Sequence, residues 1–402
     1  MHHNTLLKLI HKCNLGVKSE ISKPRFPKNY LNLKKGTLGV IATALLVSAC
    51  SSNEEEIPVG QIGNVKGFYG GVVADEPNAV LVGRDVLTAG GGAVDAAVAM
   101  AFAQSVTYPT RMGLGGGGVC LIHDGAIGLT EAIDFSGKPG SMEGAKRPTS
   151  VPAMVRGMAA MHVRYGILDW RQLVGPAEQL ARYGLKMSRA TREDMKYGLS
   201  ELSKIPEFAE VFLDGDGNLK AEGSEATQIK LAAVLSQIRA RGAGVMYSGA
   251  FAKQLALSIQ EAGGNVTEQD LRDYLPSWRG VIAVDGPLHS AYLAEPPAGG
   301  GSVIADALAR LQFEDRYDDA PSEEKVHMLI EAVQGAYRAQ QAYMARGWEI
   351  KLSKEELLAE ERIANEVEGY KSDQITVRGA ENVKFAENPF STGFVVVDKS
   401  GS

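Results

Sequence analysis

Cysteine and histidine, which build disulfide frameworks and metal sites, are scarce in this sequence. The chain of 402 residues has three cysteines and seven histidines. Three cysteines cannot form the framework of several disulfides that stabilises many small secreted proteins. The histidines are scattered, apart from His2 and His3, and no pair has the spacing of zinc ligands. We therefore expect no disulfide framework, no metal site and no cofactor.

Positive charge is not in excess either. The formal net charge is −6 and the pI is about 5.8, whereas nucleic-acid-binding proteins usually present a basic face. Binding to nucleic acid is therefore not expected. Hydrophobic residues make up 45% of the chain and charged residues 22%, which is typical of soluble globular proteins and excludes a fibrous or disordered chain. Glycine is above average, with 46 residues and no G-X-Y period, so its excess belongs to tight loops.

The longest uncharged apolar run, residues 36–49, is too short to span a membrane. Its sequence, GTLGVIATALLVSA, would form a helix of about 21 Å, against a hydrocarbon core of about 30 Å. A lysine-rich start precedes it, and the run ends in LVSAC, as in a secretory signal. This ending resembles a bacterial lipobox in which Cys50 would be lipidated. The alternative is an ordinary signal peptide with a chance cysteine.

The first 66 residues are accordingly interpreted as targeting segments. We expect residues 1–49 to be an N-terminal extension with a lipoprotein signal peptide, and residues 50–66 to be a polar tether. The basic start is longer than in ordinary signals, so we place the true translation start near Leu31 or Leu33. The lipid anchor would hold the protein on the periplasmic side of a bacterial membrane. Ser51 favours the outer membrane, by analogy with that class of signals.

From residue 67 onward the pattern of apolar residues predicts an α/β fold. A turn at Asp124–Gly125 between two strand-forming segments predicts a hairpin. Residues 153–260 are predicted to be mostly helical, and Thr267 has the sequence context of a helix N-cap. The charged helices over 322–347 and 353–370 are expected to be solvated outer helices. The other predicted elements are strands at 71–74, 119–123, 127–135, 280–293 and 393–398, and helices at 78–87, 93–106 and 303–311.

The glycine-rich loop Gly113–Gly118 matches G-x-G-x-x-G without being a nucleotide fingerprint. A dinucleotide site needs a strand, then the glycines, then a helix whose N-terminus meets the phosphate. Here the predicted order is helix, glycines, strand, so we do not expect nucleotide binding. Consecutive glycines instead permit close packing of the backbone against a neighbour, and their amides can line a pocket.

Several segments, in one order along residues 70–402, resemble the γ-glutamyltransferase (γ-glutamyltranspeptidase) family of N-terminal-nucleophile hydrolases. The last of them, Ser391–Asp398, is similar to the family's T-T-H-F-S-V-V-D. Each motif is weak, but the ordered series is specific. The other segments are Gly91–Val98, Gly113–Gly118, Ala132–Phe135, Ser150–Pro152, Ala177–Leu180, Met246–Gly249, Gly263–Gly264 with Asp270–Leu271, and Pro296–Gly300.

The resemblance implies a four-layer α/β/β/α sandwich and a chain that cuts itself. By motif matching Ser391 stands at the family's threonine nucleophile. Its hydroxyl would attack the carbonyl of Phe390, and the freed α-amine would then act as the base. The unperturbed pKa of an α-amine, about 7.7–8.0, suits that role at neutral pH. A shift of one residue, which would make Thr392 the nucleophile, stays open.

Two positions depart from the family. In the family, the segment that corresponds to Asp134–Phe135 is followed by an arginine, which binds the α-carboxylate of the glutamyl group. This chain has Ser136 at that position. Arg111, just before the glycine loop, is a candidate substitute, because its planar guanidinium can bind a carboxylate through two hydrogen bonds. A plain surface role for Arg111 is the alternative. The histidine of T-T-H is Gly393 here.

Only residues 392–402 follow Ser391, whereas the family's small subunit is far longer and supplies oxyanion-hole residues and much of the central sheet. We therefore interpret residues 67–390 as a large-subunit-like region and 391–402 as the start of a small-subunit-like region. The segment Phe394–Val397 would then be a strand without neighbours. The missing small subunit or C-terminal segment is the expected partner, and the chain alone is expected to be inactive.

The implied function is cleavage of γ-glutamyl amides such as glutathione through an acyl-enzyme. One alternative within the same fold is a β-lactam-acylase-like or other amidohydrolase, which Ser136 favours. A second alternative, from another class, is a non-catalytic remnant or binding subunit. The short C-terminal part favours this second alternative.

Overall fold

The computed structural model describes residues 70–286, 289–296, 298–343, 352–375 and 391–402. The predicted signal and tether, the lipidation residue Cys50 and the cleavage-site residue Phe390 lie outside these residues. All described residues belong to one compact unit, Pro58–Ser402. Among them, no helix is both long and apolar enough to cross a bilayer.

Two N-terminal helices form the centre of the main core, α1 (Pro77–Thr88) and α2 (Ala93–Thr107). Every residue of α2 after Ala93 is buried, as its run of small apolar side chains predicts. The glycines between the helices end α1 as expected: Gly90 has φ +92°, and the N–H of Gly91 donates to the carbonyl of Val86 at 3.0 Å. The buried Asp95 carboxylate caps α2 by accepting from the N–H of Gly92 at 3.0 Å.

A helical layer packs on this core, as predicted for residues 153–260. Helix α4 (Trp170–Tyr183) lies against α2 and against α7 (Ile229–Arg241). The predicted cap at Thr267 is confirmed, because its hydroxyl accepts from the N–H of Asp270 at 3.0 Å and the Asp270 carboxylate accepts from the N–H of Thr267 at 2.8 Å. The remaining helices of this layer are α3 (Met154–Tyr165), α5 (Arg189–Leu202), α6 (Pro206–Phe212), α8 (Gly249–Glu261) and α9 (Glu268–Asp273).

The described strands form small antiparallel sheets. The predicted hairpin is confirmed as β2 (Val119–Asp124) and β3 (Leu129–Asp134), although its second strand begins two residues later than expected. Strand β6 (Ser277–Arg279) adds to the other edge of β3. Two further pairs are β4 (Leu185–Lys186) with β5 (Glu225–Ala226), and β7 (Val281–Asp285) with β8 (Ser290–Ala294).

The last strand pairs with the first. Strand β9 (Phe394–Asp398) lies antiparallel to β1 (Gly70–Ala74), with Asp398 opposite Gly70 and Phe394 opposite Ala74. The expectation that this strand has no neighbours was therefore wrong for one of its two edges. That edge pairs with β1, which lies more than 300 positions earlier in the chain. No strand among the described residues pairs with the other edge of β9.

The C-terminal helices are not simply solvated. Helix α10 (Gly299–Gln312) begins four residues earlier than predicted and packs against α12 (Ser322–Tyr343). The inner face of α12 buries Met328, Ala332 and Ala336, so the expectation of solvated outer helices was wrong for that face. Three short helices complete this part, α11 (Arg316–Asp319), α13 (Lys354–Leu357) and α14 (Glu360–Val367).

Candidate active site

A cavity of about 910 Å³ lies between β9 and β2, within the usual size range of ligand pockets. Gly393–Val396 and Asp398 line one side, and Val119–Asp124 line the other. Both strands are at the edge of their sheets here among the described residues. The cavity therefore lies between two strands that are each at the edge of a sheet.

The glycine loop forms one end of this cavity, which Gly116, Gly117 and Gly118 line. Gly118 exchanges backbone hydrogen bonds with Phe135, at 3.3 and 2.9 Å, and the Gly116 carbonyl accepts from the first N–H group of α3, that of Met154, at 2.8 Å. A Cβ atom on Gly117 would lie 2.7 Å from the Phe135 carbonyl oxygen. The prediction that these glycines permit close backbone packing is confirmed.

Ser391 and Thr392 also line the cavity, just before β9 begins. Ser391 is exposed, and the Thr392 hydroxyl donates a hydrogen bond to the Asp75 carboxylate, with 2.8 Å between Oγ1 and Oδ2. Asp75 follows β1 directly, so the pairing of β1 with β9 explains why it lies here. Sequence reasoning missed Asp75, since its partner is 317 positions away in the chain.

Arg111 lines the same cavity and is already paired. Its guanidinium forms an ion pair with Asp194 on α5, while its Nε is buried with no hydrogen-bond partner among the described residues. Burial and the Asp194 charge raise the pKa of the neighbouring Tyr108, against a smaller lowering by Arg111, so Tyr108 stays neutral near pH 7. The structure thus brings Arg111 to the cavity but also supplies it with a carboxylate partner that the sequence did not suggest.

Ser136, at the family's arginine position, is exposed and is not among the cavity-lining residues. Its N–H donates to the Asp134 carboxylate at 2.9 Å, and its carbonyl accepts from the Tyr274 hydroxyl at 3.0 Å. Asp134 is in turn paired with Arg279 at 3.3 Å. Both of the hydrogen bonds of Ser136 involve its backbone atoms, so its side chain takes no part in them.

A thiol, that of Cys120, also lines the cavity. Burial raises the pKa of its thiol to about 12, so the reactive thiolate is scarce at neutral pH. Within the described residues there is no cluster of three or more His, Cys, Asp or Glu side chains that could hold a metal ion. The two hydroxyl residues that motif matching singles out, Ser391 and Thr392, both lie in the lining of this cavity.

A mixed α/β fold, with a Ser–Thr pair opening a strand beside a glycine-lined cavity, is that of an N-terminal-nucleophile hydrolase. Helicobacter pylori gamma-glutamyltranspeptidase superimposes with a TM-score of 0.69 at 27% identity, over 79% of this chain and 95% of that one. The enzyme from Pseudomonas nitroreducens gives 0.68 at 25% identity, over 78% and 97%. A cephalosporin acylase from Bacillus halodurans shares the fold, with a TM-score of 0.71 at 23% identity, over 86% and 67%.

The gamma-glutamyltranspeptidase family model matches residues 79–402, and the chain therefore belongs to that family. It is 29% identical, over 84% of its length, to the glutathione hydrolase proenzyme of Escherichia coli strain K12, of which it spans 62%. It is 33% identical, over 60% of its length, to the glutathione hydrolase proenzyme of Pseudomonas aeruginosa, of which it spans 45%. The family and fold expected from the sequence motifs are confirmed.

Proposed function

We propose that this chain is the nucleophile-bearing part of an enzyme that cleaves γ-glutamyl amides such as glutathione. The observation that carries the proposal is the position of Ser391, just before β9 and in the lining of the cavity, in a chain of this family. Relatives named glutathione hydrolase support the substrate class. No metal or cofactor takes part in the proposed reaction.

Maturation would begin with attack of the Ser391 hydroxyl oxygen on the Phe390 carbonyl carbon. A C–O bond forms, the Phe390–Ser391 C–N bond breaks, and the hydroxyl proton ends on the nitrogen of Ser391. Water then hydrolyses the ester, which leaves a carboxylate on Phe390 and a free α-amine on Ser391. In turnover this amine would take the proton of the hydroxyl as it attacks the γ-carbonyl of the substrate. The released amine leaves with that proton, and water or a second amine takes the acyl group.

A partner segment is part of the proposal. The facing edges of β9 and β2 carry backbone N–H and C=O groups that no described strand satisfies. Additional strands, from a small subunit or a C-terminal segment, would pair with these edges and enclose the substrate. Because such a segment would also bring oxyanion donors, which are worth several kcal/mol in catalysis, the chain alone is expected to be inactive.

Self-cleavage is tested by intact mass spectrometry of the full chain, produced alone and together with any partner encoded downstream of Ser402. We expect cleavage between Phe390 and Ser391 that is lost in Ser391→Ala and kept in Thr392→Ala. Loss in Thr392→Ala alone would make Thr392 the nucleophile. Cleavage unaffected by either substitution would refute the mechanism. A stop codon with no partner gene would favour the non-catalytic alternative.

A second candidate is an amidohydrolase whose substrate lacks the α-carboxylate. Ser136 favours it, because a serine side chain carries no positive charge that could bind that group. Hydrolysis of a γ-glutamyl anilide, compared with an acyl anilide without the carboxylate, separates the two. Preference for the γ-glutamyl anilide supports the first proposal, and preference for the other supports an acylase-like enzyme.

Lipid anchoring through Cys50 on the periplasmic side of a bacterial membrane, with the outer membrane preferred, belongs to the same proposal. The sequence pattern of residues 36–50 supports it. Incorporation of labelled palmitate that disappears in Cys50→Ala tests the anchor. Incorporation that persists in the variant would contradict it.

A further inference from the structure

Asp75 lies beside Thr392, just before β9, and its backbone is fixed by the elements on both sides of it. Its neighbour Glu76 is fully buried and accepts from the N–H of Ala79 at 2.9 Å, which caps α1. On the other side, β1 pairs with β9 through Ala74 and Phe394. The Asp75 side chain itself is at the surface, and it accepts the hydrogen bond from Thr392. Its position therefore follows from both neighbouring elements.

The charges around Asp75 do not neutralise it. Arg111 is paired with Asp194, so these two charges largely cancel. Burial, Asp194 and, less strongly, Asp75 raise the pKa of Tyr108 against a lowering by Arg111, so Tyr108 is uncharged near pH 7. The Asp75 carboxylate forms no ion pair among the described residues; its hydrogen bond goes to the neutral hydroxyl of Thr392. A negative charge therefore remains beside Thr392, which itself lines the cavity.

We propose that Asp75 is a positioning residue for the nucleophile, which holds Thr392 and keeps a negative charge beside the α-amine that cleavage would free on Ser391. The proposal deepens the proposed function and rests on it for its role in catalysis. Thr392 is the next residue after Ser391, and consecutive Cα atoms are about 3.8 Å apart. The Asp75 carboxylate thus lies within about 10 Å of that amine.

A carboxylate at this range favours the ammonium form of the amine and so raises its pKa. Coulomb's law with an effective dielectric constant between the interior and bulk-water values gives a shift of about half to one pH unit. The neutral amine is the form that acts as base. The charge of Asp75 therefore moves the onset of activity to higher pH, while the hydrogen bond to Thr392 keeps Ser391 directed at the cavity.

The test uses the full chain with a protease recognition sequence directly before Ser391, so that the amine is freed whether or not the chain cleaves itself. Competitive acetylation across a pH series, read by mass spectrometry of segment 391–402, measures the pKa of the α-amine. Asp75→Asn keeps a hydrogen-bond acceptor and removes the charge, and we expect it to lower that pKa by about half to one unit. The matched control is Asp85→Asn, which removes an exposed carboxylate on α1 and should leave the pKa unchanged.

Thr392→Val separates the hydrogen bond from the charge. It keeps the shape of the side chain and removes the donor, so the Asp75 carboxylate is no longer held and the amine pKa should move part of the way towards the Asp75→Asn value. An amine pKa that is unchanged or raised in Asp75→Asn would overturn the proposal. A parent chain that neither cleaves itself nor turns over substrate with its partner would refute the proposed function, while the acetylation result would still decide on Asp75.

Discussion

The Asp398 carboxylate accepts a hydrogen bond from the backbone N–H of Ala93, with 2.9 Å between Oδ2 and N. Ala93 is the first residue of α2, so the last residue of β9 contacts the N-terminus of the central buried helix. The other oxygen of Asp398 accepts from the N–H groups of Ser400 and Ser402, at 2.8 and 3.2 Å. Strand β9 is therefore held at its end by Asp398, as it is near its start by the bond from Thr392 to Asp75.

Asp398→Ala is expected to lower the free energy of unfolding by about 2–3 kcal/mol near pH 7, because it removes charge-assisted hydrogen bonds and a helix-terminus interaction. Burial opposes ionisation of Asp398, but hydrogen bonds from Ser400, Ala93 and Ser402 outweigh it and hold the carboxyl pKa below its usual value. A group with a lowered pKa in the folded state stabilises above its unfolded pKa of about 3.9. The difference between parent and variant should thus shrink as pH falls below about 4. Urea denaturation at pH 7 and pH 3 measures it, and a pH-independent difference would contradict this cause.

Gly117→Ala, in the glycine loop at one end of the cavity, is expected to lower the free energy of unfolding by about 1–3 kcal/mol. The added Cβ would lie 2.7 Å from the Phe135 carbonyl oxygen and 2.8 Å from the Gly137 nitrogen, both of which are backbone atoms. Gly115→Ala is the matched control in the same loop, because a Cβ there meets nothing within 4 Å. Thermal unfolding of both variants is the measurement. Equal effects of the two substitutions would show that close packing is not the reason for the glycine at 117.

Asp306→Ala is expected to lower the free energy of unfolding by about 2–4 kcal/mol, because the buried Arg310 and the partly buried Arg362 lose their shared carboxylate, although Arg310 keeps its ion pair with Glu366. Asp306 is 1% exposed and bonds the Arg310 guanidinium at 3.1 and 3.2 Å, and it also pairs with Arg362 of α14. Chemical denaturation measures the loss. Glu193→Ala removes the exposed partner of Lys196 and should change stability little, since surface ion pairs contribute little. A small effect at Asp306 would mean that α14 is not held through this network.

Arg111→Ala tests whether the cavity arginine recognises the substrate carboxylate. If it does, KM of the enzyme assembled with its partner segment should rise roughly 10- to 100-fold for a γ-glutamyl anilide, the equivalent of one charge-assisted hydrogen-bonded pair. KM for an acyl anilide without the α-carboxylate should stay near the parent value. The control is Arg84→Ala, an exposed arginine on α1. An equal rise in KM for both substrates would mean that Arg111 has a structural role, through its ion pair with Asp194.

The elements of the fold were largely predictable from the sequence, because their signals are local. The Ala-rich run at 93–106 predicted a buried helix, and the structure has α2 over Ala93–Thr107. The cap at Thr267 and the hairpin turn at Asp124–Gly125 were also correct. Side-chain periodicity and capping residues act within a few positions, so they can be recognised without knowledge of the fold.

The candidate site was only partly predictable. Motif order led to Ser391 and Thr392, and the structure has both at the cavity. Nothing in the spacing of residues indicated Asp75 or Asp194, whose partners lie 317 and 83 positions away. The buried faces of the C-terminal helices were missed for the same reason, because charged residues such as Arg310 and Arg362 are read as solvent-exposed until their buried partner Asp306 is known.

The sequence by itself determined the family, the main helices and the residues proposed for chemistry, since local patterns and an ordered series of motifs carry that information. Only the tertiary structure decided that β1 pairs with β9, that Asp398 caps α2 and that Thr392 bonds Asp75. These contacts join segments about 300 positions apart or more. Their geometry depends on how the whole core packs, and no local pattern of residues specifies it.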